Sequence, residues 1–172
     1  MIALATERLE IRDWRAPADE EDARAIFCDP EVMRFIPAGA FAPDAVPRIV
    51  ARMIERQERN GFTVWPVVEK ASGRVIGECG ITYIPDTTDV EIAWLFSRAA
   101  WGRGFATEAA RAVLAHALGP LGLTRVYALV LPENRASIAV ANRLGMRFDR
   151  VVRAYKRDML RYVAERTGTT GA

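Results

Sequence analysis

Residues 99–119 read AAWGRGFATEAARAVLAHALG. Gly102 and Gly104 frame Arg103, and a helical pattern begins at once. Ala106, Ala109, Ala110, Val113, Leu114, Ala117 and Leu118 fall at the i, i+3, i+4 spacing of a buried face, so the spacing predicts a helix over 105–118. Gly119-Pro120 stops it. A glycine-framed backbone, a positive charge and a helix N-terminus at one place suit an anionic ligand, because the N–H groups of a first helical turn have no intrahelical acceptor. The same residues also fit a plain strand-to-helix turn that uses glycine for geometry.

Two familiar phosphate-binding turns are excluded by spacing. No Gly-Lys-Ser/Thr follows, as a P-loop requires, and the third glycine position of G-x-G-x-x-G is occupied by Thr107. Before the turn, VEIAWLF (90–96) reads as a strand; after the helix, RVYALVL (125–131) reads as another. Upstream, the pattern predicts a strand at 8–14, helices at 17–29 and 48–61, and a strand pair at 62–70 and 74–84 joined by Ala71-Ser72-Gly73. Downstream it predicts a short helix over 134–145, ended by Gly145, and two last strands at 146–153 and 155–164. The order β-α-α-β-β-β-α-β-α-β-β implies one α/β (α+β) domain with a mixed, mostly antiparallel sheet of about seven strands. Its one parallel pair is expected between 90–96 and 125–131. The domain is expected over residues 5–165, with a disordered tail at 166–172.

Composition narrows the function classes. The 172 residues are 51% hydrophobic and 27% charged, as in a globular domain with a sizeable core. A formal charge of +2 makes no case for nucleic acid. No apolar run approaches the roughly 20 residues of a membrane span. MIALATERLEIRDW turns charged too early for a signal peptide, so the expectation is a cytoplasmic protein without membrane partners. Cys28, Cys79 and a single His116 provide neither a disulfide framework nor a metal set, and His116 within an alanine-rich helix is no Ser-His-Asp base.

The strand VEIAWLF, the turn AAWGRGFATEA, the strand RVYALVL and the segment NRASIAVANRLGMRF, in that order and spacing, resemble the GNAT superfamily of N-acetyltransferases. ATERLEIRDW and RVIGECGI resemble its ribosomal-protein N-terminal acetyltransferase branch, the RimJ/RimL-like enzymes. The resemblance covers roughly residues 5 to 165. It departs from the family pattern at Ala99, where a polar residue usually opens the turn, and at Ala141, where many relatives place a tyrosine.

The resemblance implies acetyl-CoA as co-substrate, an amine acceptor, a direct attack on a thioester held where the parallel strands splay, and no metal. The pyrophosphate would lie on Gly102, Arg103, Gly104, Phe105, Ala106 and Thr107, with Arg103 adding charge. A backbone N–H near Leu95 or Phe96 would polarise the thioester carbonyl. Asn134 would bind the pantetheine arm; read from its residue type it is equally a good helix N-cap. Ser137 would lie near the sulfur. Glu91 would be the general base, through a water, with Glu78 in reserve; alternation places Glu91 with Ala93 and Leu95, opposite Val90, Ile92, Trp94 and Phe96. A glutamate facing solvent or paired with an arginine is the competing reading. Glu108 reads as structural or as complementing the helix dipole. Phe62, Trp65 and Trp94 read as core aromatics, with walls of an acceptor pocket as the alternative, while Tyr155 and Tyr162 have no place relative to the cleft that the sequence fixes. The acceptor is a protein N-terminus or a small-molecule amine. A non-catalytic acyl-CoA-binding module, another acyl donor such as succinyl-CoA, and a homodimer remain open.

Overall fold

A computed structural model describes residues 2–166. The chain runs β1 (Ala3–Ala5), β2 (Leu9–Arg12), α1 (Glu20–Phe27), α2 (Val46–Asn60), β3 (Val64–Glu69), β4 (Val75–Tyr83), β5 (Val90–Phe96), α3 (Phe105–Leu118), β6 (Arg125–Val130), α4 (Arg135–Arg143), β7 (Arg147–Ala154) and β8 (Arg157–Glu165), with 3-10 turns at Met33–Phe35, Pro43–Ala45 and Arg98–Ala100. The strands form one sheet in the order β1-β2-β3-β4-β5-β6-β8-β7. Every neighbouring pair is antiparallel except β5–β6.

Eight strands form where the sequence indicated about seven. The addition is β1, whose three residues are too short to show alternation; only its pairing with β2 makes it a strand. The expected tail falls, from residue 167 on, outside the described residues, while the Arg166 amide still donates to the Thr124 carbonyl (2.9 Å).

The sheet carries helices on both faces. On one, Leu9, Ile11, Trp65, Val67, Cys79, Ile81, Ile92 and Val126 pack against Phe105, Ala109, Ala110, Val113 and Ala117 of α3 and Val140 and Ala141 of α4. The alanines keep α3 thin and let its backbone approach the sheet. Phe62 and Trp65 are buried and Trp94 packs at the margin, the core placement expected for them. On the other face, Trp14, Val68 and Val75 pack with Ala23, Ile26 and Phe27 of α1 and Val46 and Val50 of α2, and Leu95 joins them. In β5 the two faces alternate without a register break, so Glu91, Ala93 and Leu95 point to the α1/α2 side.

The last hairpin differs from its expected form. Tyr155 and Lys156, read as strand, are the two-residue turn between Ala154 and Arg157, and both have positive φ (51° and 62°). Each non-glycine residue there costs roughly 1–2 kcal/mol, and the pair lacks the Asn-Gly or Asp-Gly signature of such turns.

Gly80 marks the tightest approach within the sheet. A Cβ there would lie 2.2 Å from the Thr63 carbonyl oxygen and 2.5 Å from Val64 Cα, both backbone atoms. Gly80→Ala must spread β3 from β4 and is expected to destabilise the domain by about 1–3 kcal/mol. A urea midpoint equal to that of the wild type would contradict this packing.

Candidate active site

Strands β5 and β6 share a single register pair, Glu91 with Tyr127. Beyond it β5 runs on to Phe96 and β6 to Val130, where β6 pairs only with β8. The two parallel strands therefore part toward their C-terminal ends. At that edge β5 leads into α3 and β6 into α4, so the gap is bordered by Leu95 and Phe96, by the start of α3 and by the start of α4. In open α/β sheets this is where ligands enter.

The start of α3 has the geometry of an anion cradle. Gly102 (φ 73°) and Gly104 (φ 80°) take the left-handed conformation that only glycine adopts freely, and no side chain caps the helix. The first-turn amides of Phe105, Ala106 and Thr107 have no intrahelical acceptor. The turn is held from behind by Arg8. Its Nη1 donates to the Arg103 carbonyl (2.9 Å), its Nε to Glu108 Oε2 (2.8 Å), and its guanidinium lies 4.5 Å from the Phe105 ring centroid. Glu108 also accepts from Thr6 Oγ1 (2.5 Å) and the Arg8 amide (3.0 Å), the structural role expected of it. The Arg103 side chain turns away to Glu69 Oε1 (2.6 Å) and over Phe105, so its charge is compensated within the chain and its backbone is what faces the cradle.

Glu91 is 6% exposed, in an otherwise apolar stretch. Burial pushes its carboxyl up to about 7, against the opposing pull of a hydrogen bond from Tyr155. The Tyr155 hydroxyl donates to Glu91 Oε1, which answers where Tyr155 goes: onto the carboxylate. No arginine pairs with Glu91 among the described contacts, and the carboxylate does not face open solvent. Glu78 lies one strand over on the same face, opposite Leu95. It is partly exposed as a residue, but its Oε2 is sealed from solvent and without a hydrogen-bond partner. Burial pushes it up to about 8, tempered by the positive charge of Arg56 on α2.

Ser137 and Asn134 lie on the opposite face. Asn134 Oδ1 caps α4 by accepting from the Ser137 amide (3.1 Å), and Ser137 Oγ accepts from Trp94 Nε1 (3.3 Å). Glu91 and Ser137 are thus not in contact: they flank β5 from its two sides. Ala141 is fully buried in the core, so that position carries no acid. His116 packs edge-on to Trp65 (6.3 Å between centroids), its imidazole pushed down by burial. Cys79 is buried, with its thiol pushed up, again by burial.

A groove of about 390 Å³ beside Tyr155 runs between Ile84–Thr87 and Arg153–Lys156. The larger depression, about 860 Å³, is lined by Trp14, Met53, Thr63 and His116 and lies apart from Glu91, Asn134, Ser137 and the 102–107 turn. Among the described residues no His, Cys, Asp and Glu form a metal-binding group, and no helix is long and apolar enough to cross a membrane.

The cap at Asn134 is a measurable part of this site. Asn134→Ala removes the acceptor of the Ser137 amide and is expected to cost about 1 kcal/mol, whereas Asn134→Asp keeps a cap oxygen and should melt with the wild type. Equal destabilisation of both variants would deny the capping role.

Comparison with known proteins agrees with this geometry. Residues 8–147 match the family model of the acetyltransferase (GNAT) domain. The uncharacterized N-acetyltransferase p20 of Bacillus licheniformis is 31% identical over 162 residues, spanning 91% of this chain and 89% of that protein. An acetyltransferase structure from Agrobacterium tumefaciens superposes with a TM-score of 0.84 at 28% identity, over 96% of this chain and 95% of that one. RimL, a ribosomal-protein alpha-N-acetyltransferase solved in complex with coenzyme A, shares the fold (TM-score 0.80, 14% identity, 95% of this chain and 98% of that one covered). A sheet that parts at one parallel pair, a glycine-framed helix start at the opening and a match over most of the chain lead to one conclusion: this chain belongs to the GNAT acetyltransferase family.

Proposed function

We propose that this protein transfers an acetyl group from acetyl-CoA to a primary amine, either a protein N-terminus or a small-molecule amine, by direct attack. The observation that carries the reading is Glu91: a buried carboxyl that titrates near neutrality, placed at the last paired residue before β5 and β6 part. The two unpaired cysteines fit a cytoplasmic enzyme.

In this reading the pyrophosphate rests on the amides of Gly102–Thr107, where two positive-φ glycines lead into a helix start with no side-chain cap. The pantetheine arm passes Asn134 into the gap, and a backbone N–H at Leu95 or Phe96 polarises the thioester carbonyl. An amine attacks only when neutral, yet an N-terminal amine has a pKa of about 7.7–8.0 and a lysine about 10.4. Glu91, directly or through a water, takes the proton as the nitrogen lone pair forms the C–N bond. The C–S bond then breaks, its electron pair leaves on sulfur, and the thiolate is protonated by Ser137 or water. A thiol pKa of about 8.5 makes this last transfer undemanding, which is why alanine at 141 is tolerable. With base and hydroxyl on opposite sides of β5, the amine approaches from the α1/α2 face and the thiolate departs toward α4.

Two measurements test this. Because burial raises Glu91 to about 7, the ionised base gains population as pH rises through 7, so turnover should rise over that range. Glu91→Gln should lose roughly 10²–10⁴-fold at pH 7, keep its affinity for acetyl-CoA, and recover much of the loss above the pKa of the acceptor amine. A loss that is equal at every pH would assign Glu91 a structural role. Separately, Gly104→Val places a β-branched residue at φ 80° and should weaken acetyl-CoA binding by calorimetry on folded protein. Unchanged affinity would remove the pyrophosphate from this turn, and coenzyme binding with no turnover on any amine would mark a binding module.

A further inference from the structure

The turn that carries Tyr155 is built against its own backbone preference. Both of its residues are non-glycine at positive φ, a conformation that persists only where the surroundings hold it and that gathers at functional sites. The hairpin pairs that flank it, Ala154 with Arg157 and Arg153 with Asp158, close the turn, and from it the Tyr155 hydroxyl donates to Glu91 Oε1, across 64 positions of sequence. The phenol is partly shielded, and its own acidity is suppressed by burial and by the adjacent carboxylate, so it stays an O–H donor throughout the neutral range.

We propose that Tyr155 is a positioning residue for the base: the strained β7–β8 turn aims its phenol at Glu91, fixing Oε1 and leaving Oε2 to receive the proton from the amine. This rests on the reading of Glu91 as the base. A donor on the charged form favours ionisation, so the phenol offsets part of the burial that would otherwise keep Glu91 protonated. The other charged and titratable groups around the pair are Arg56 on α2, which acts on Tyr155 and Glu78, Glu78 on β4, Tyr127 on β6 in register with Glu91, and Arg161 on β8, stacked 4.5 Å over the Tyr127 ring. Arg161 is engaged by Asp149, and Tyr127 lies near Arg125, so the donor to Glu91 is Tyr155.

The test is Tyr155→Phe, which removes one hydroxyl and keeps the ring. Carboxyl ¹³C NMR of glutamate-labelled, ligand-free protein, assigned with Glu91→Gln, should show the Glu91 midpoint raised by about one pH unit. The acid limb of the turnover profile should move with it: a loss of about fivefold to tenfold at pH 7, recovered by pH 9, at an unchanged KM for acetyl-CoA. Lys156→Asn, whose side chain tolerates positive φ, should leave both midpoints in place. Uniform 3-fluorotyrosine labelling of the wild-type sequence makes every phenol a stronger donor without altering the turn, and should move the Glu91 midpoint down even where the Phe variant folds poorly. A Glu91 midpoint that ignores both changes, or a turnover loss equal at every pH, overturns the proposal. The titration also separates the two readings: an unmoved Glu91 in an active enzyme defeats the Tyr155 role alone, and a shifted Glu91 in a protein inactive on every amine defeats the acetyltransferase reading.

Discussion

Everything at the site depends on one constraint: β5 and β6 run parallel but pair at only one position. Parallel neighbours cannot be joined by a tight turn and need a crossover. Here the crossover is α3, which must start at the C-terminal end of β5 and return across one face of the sheet. That requirement brings the glycine-framed turn to the mouth of the gap. The next connection, from β6 to β8 through α4 and β7, brings Asn134 and Ser137 to the same mouth. A sheet paired along its whole length would have the same elements and no opening.

The opening is useful because its borders are rigid. The start of α3 leaves amides unsatisfied, and it keeps its conformation because Arg8, in the turn before β2, and Glu108, within the helix, clamp it. These partners are about a hundred residues apart in sequence, so the turn is held by the packed sheet and not by its own propensity. Arg103 belongs to the same scaffold: by pairing with Glu69 it leaves the cradle to backbone dipoles, which need no counter-charge and cannot swing away.

Electrostatics adds the reactive element. A carboxyl within an apolar strand is costly unless it is neutral or bonded, and Glu91 sits between those states, near 7 with a phenol on one oxygen. Glu78, whose Oε2 is sealed without a hydrogen-bond partner, shows the alternative: burial carries it further, to about 8, against the opposing charge of Arg56. Of these two glutamates on one face of neighbouring strands, Glu91 is the one with a hydroxyl donating to its carboxylate.

The order of elements, the buried face of α3, the positive-φ glycines and the membership of the family were legible in the sequence, because each rests on local periodicity or on a motif with fixed spacing. Alternation alone put Glu91 on the face of Ala93 and Leu95, and residue type alone made Asn134 a cap. Three features were not legible. β1 exists only through its partner strand. Arg103 points to Glu69 because β2 and β3 bring that acid beneath the turn, a neighbour 34 positions away. Tyr155 and Lys156 carry no turn signal, and they bend because closing the β7–β8 hairpin and reaching Glu91 outweigh the cost of positive φ. The sequence by itself determined the helices, the seven longer strands and the chemical groups they carry. The tertiary structure decided which of those groups meet, because contacts across tens of residues are set by sheet order and strand register, which no local pattern encodes.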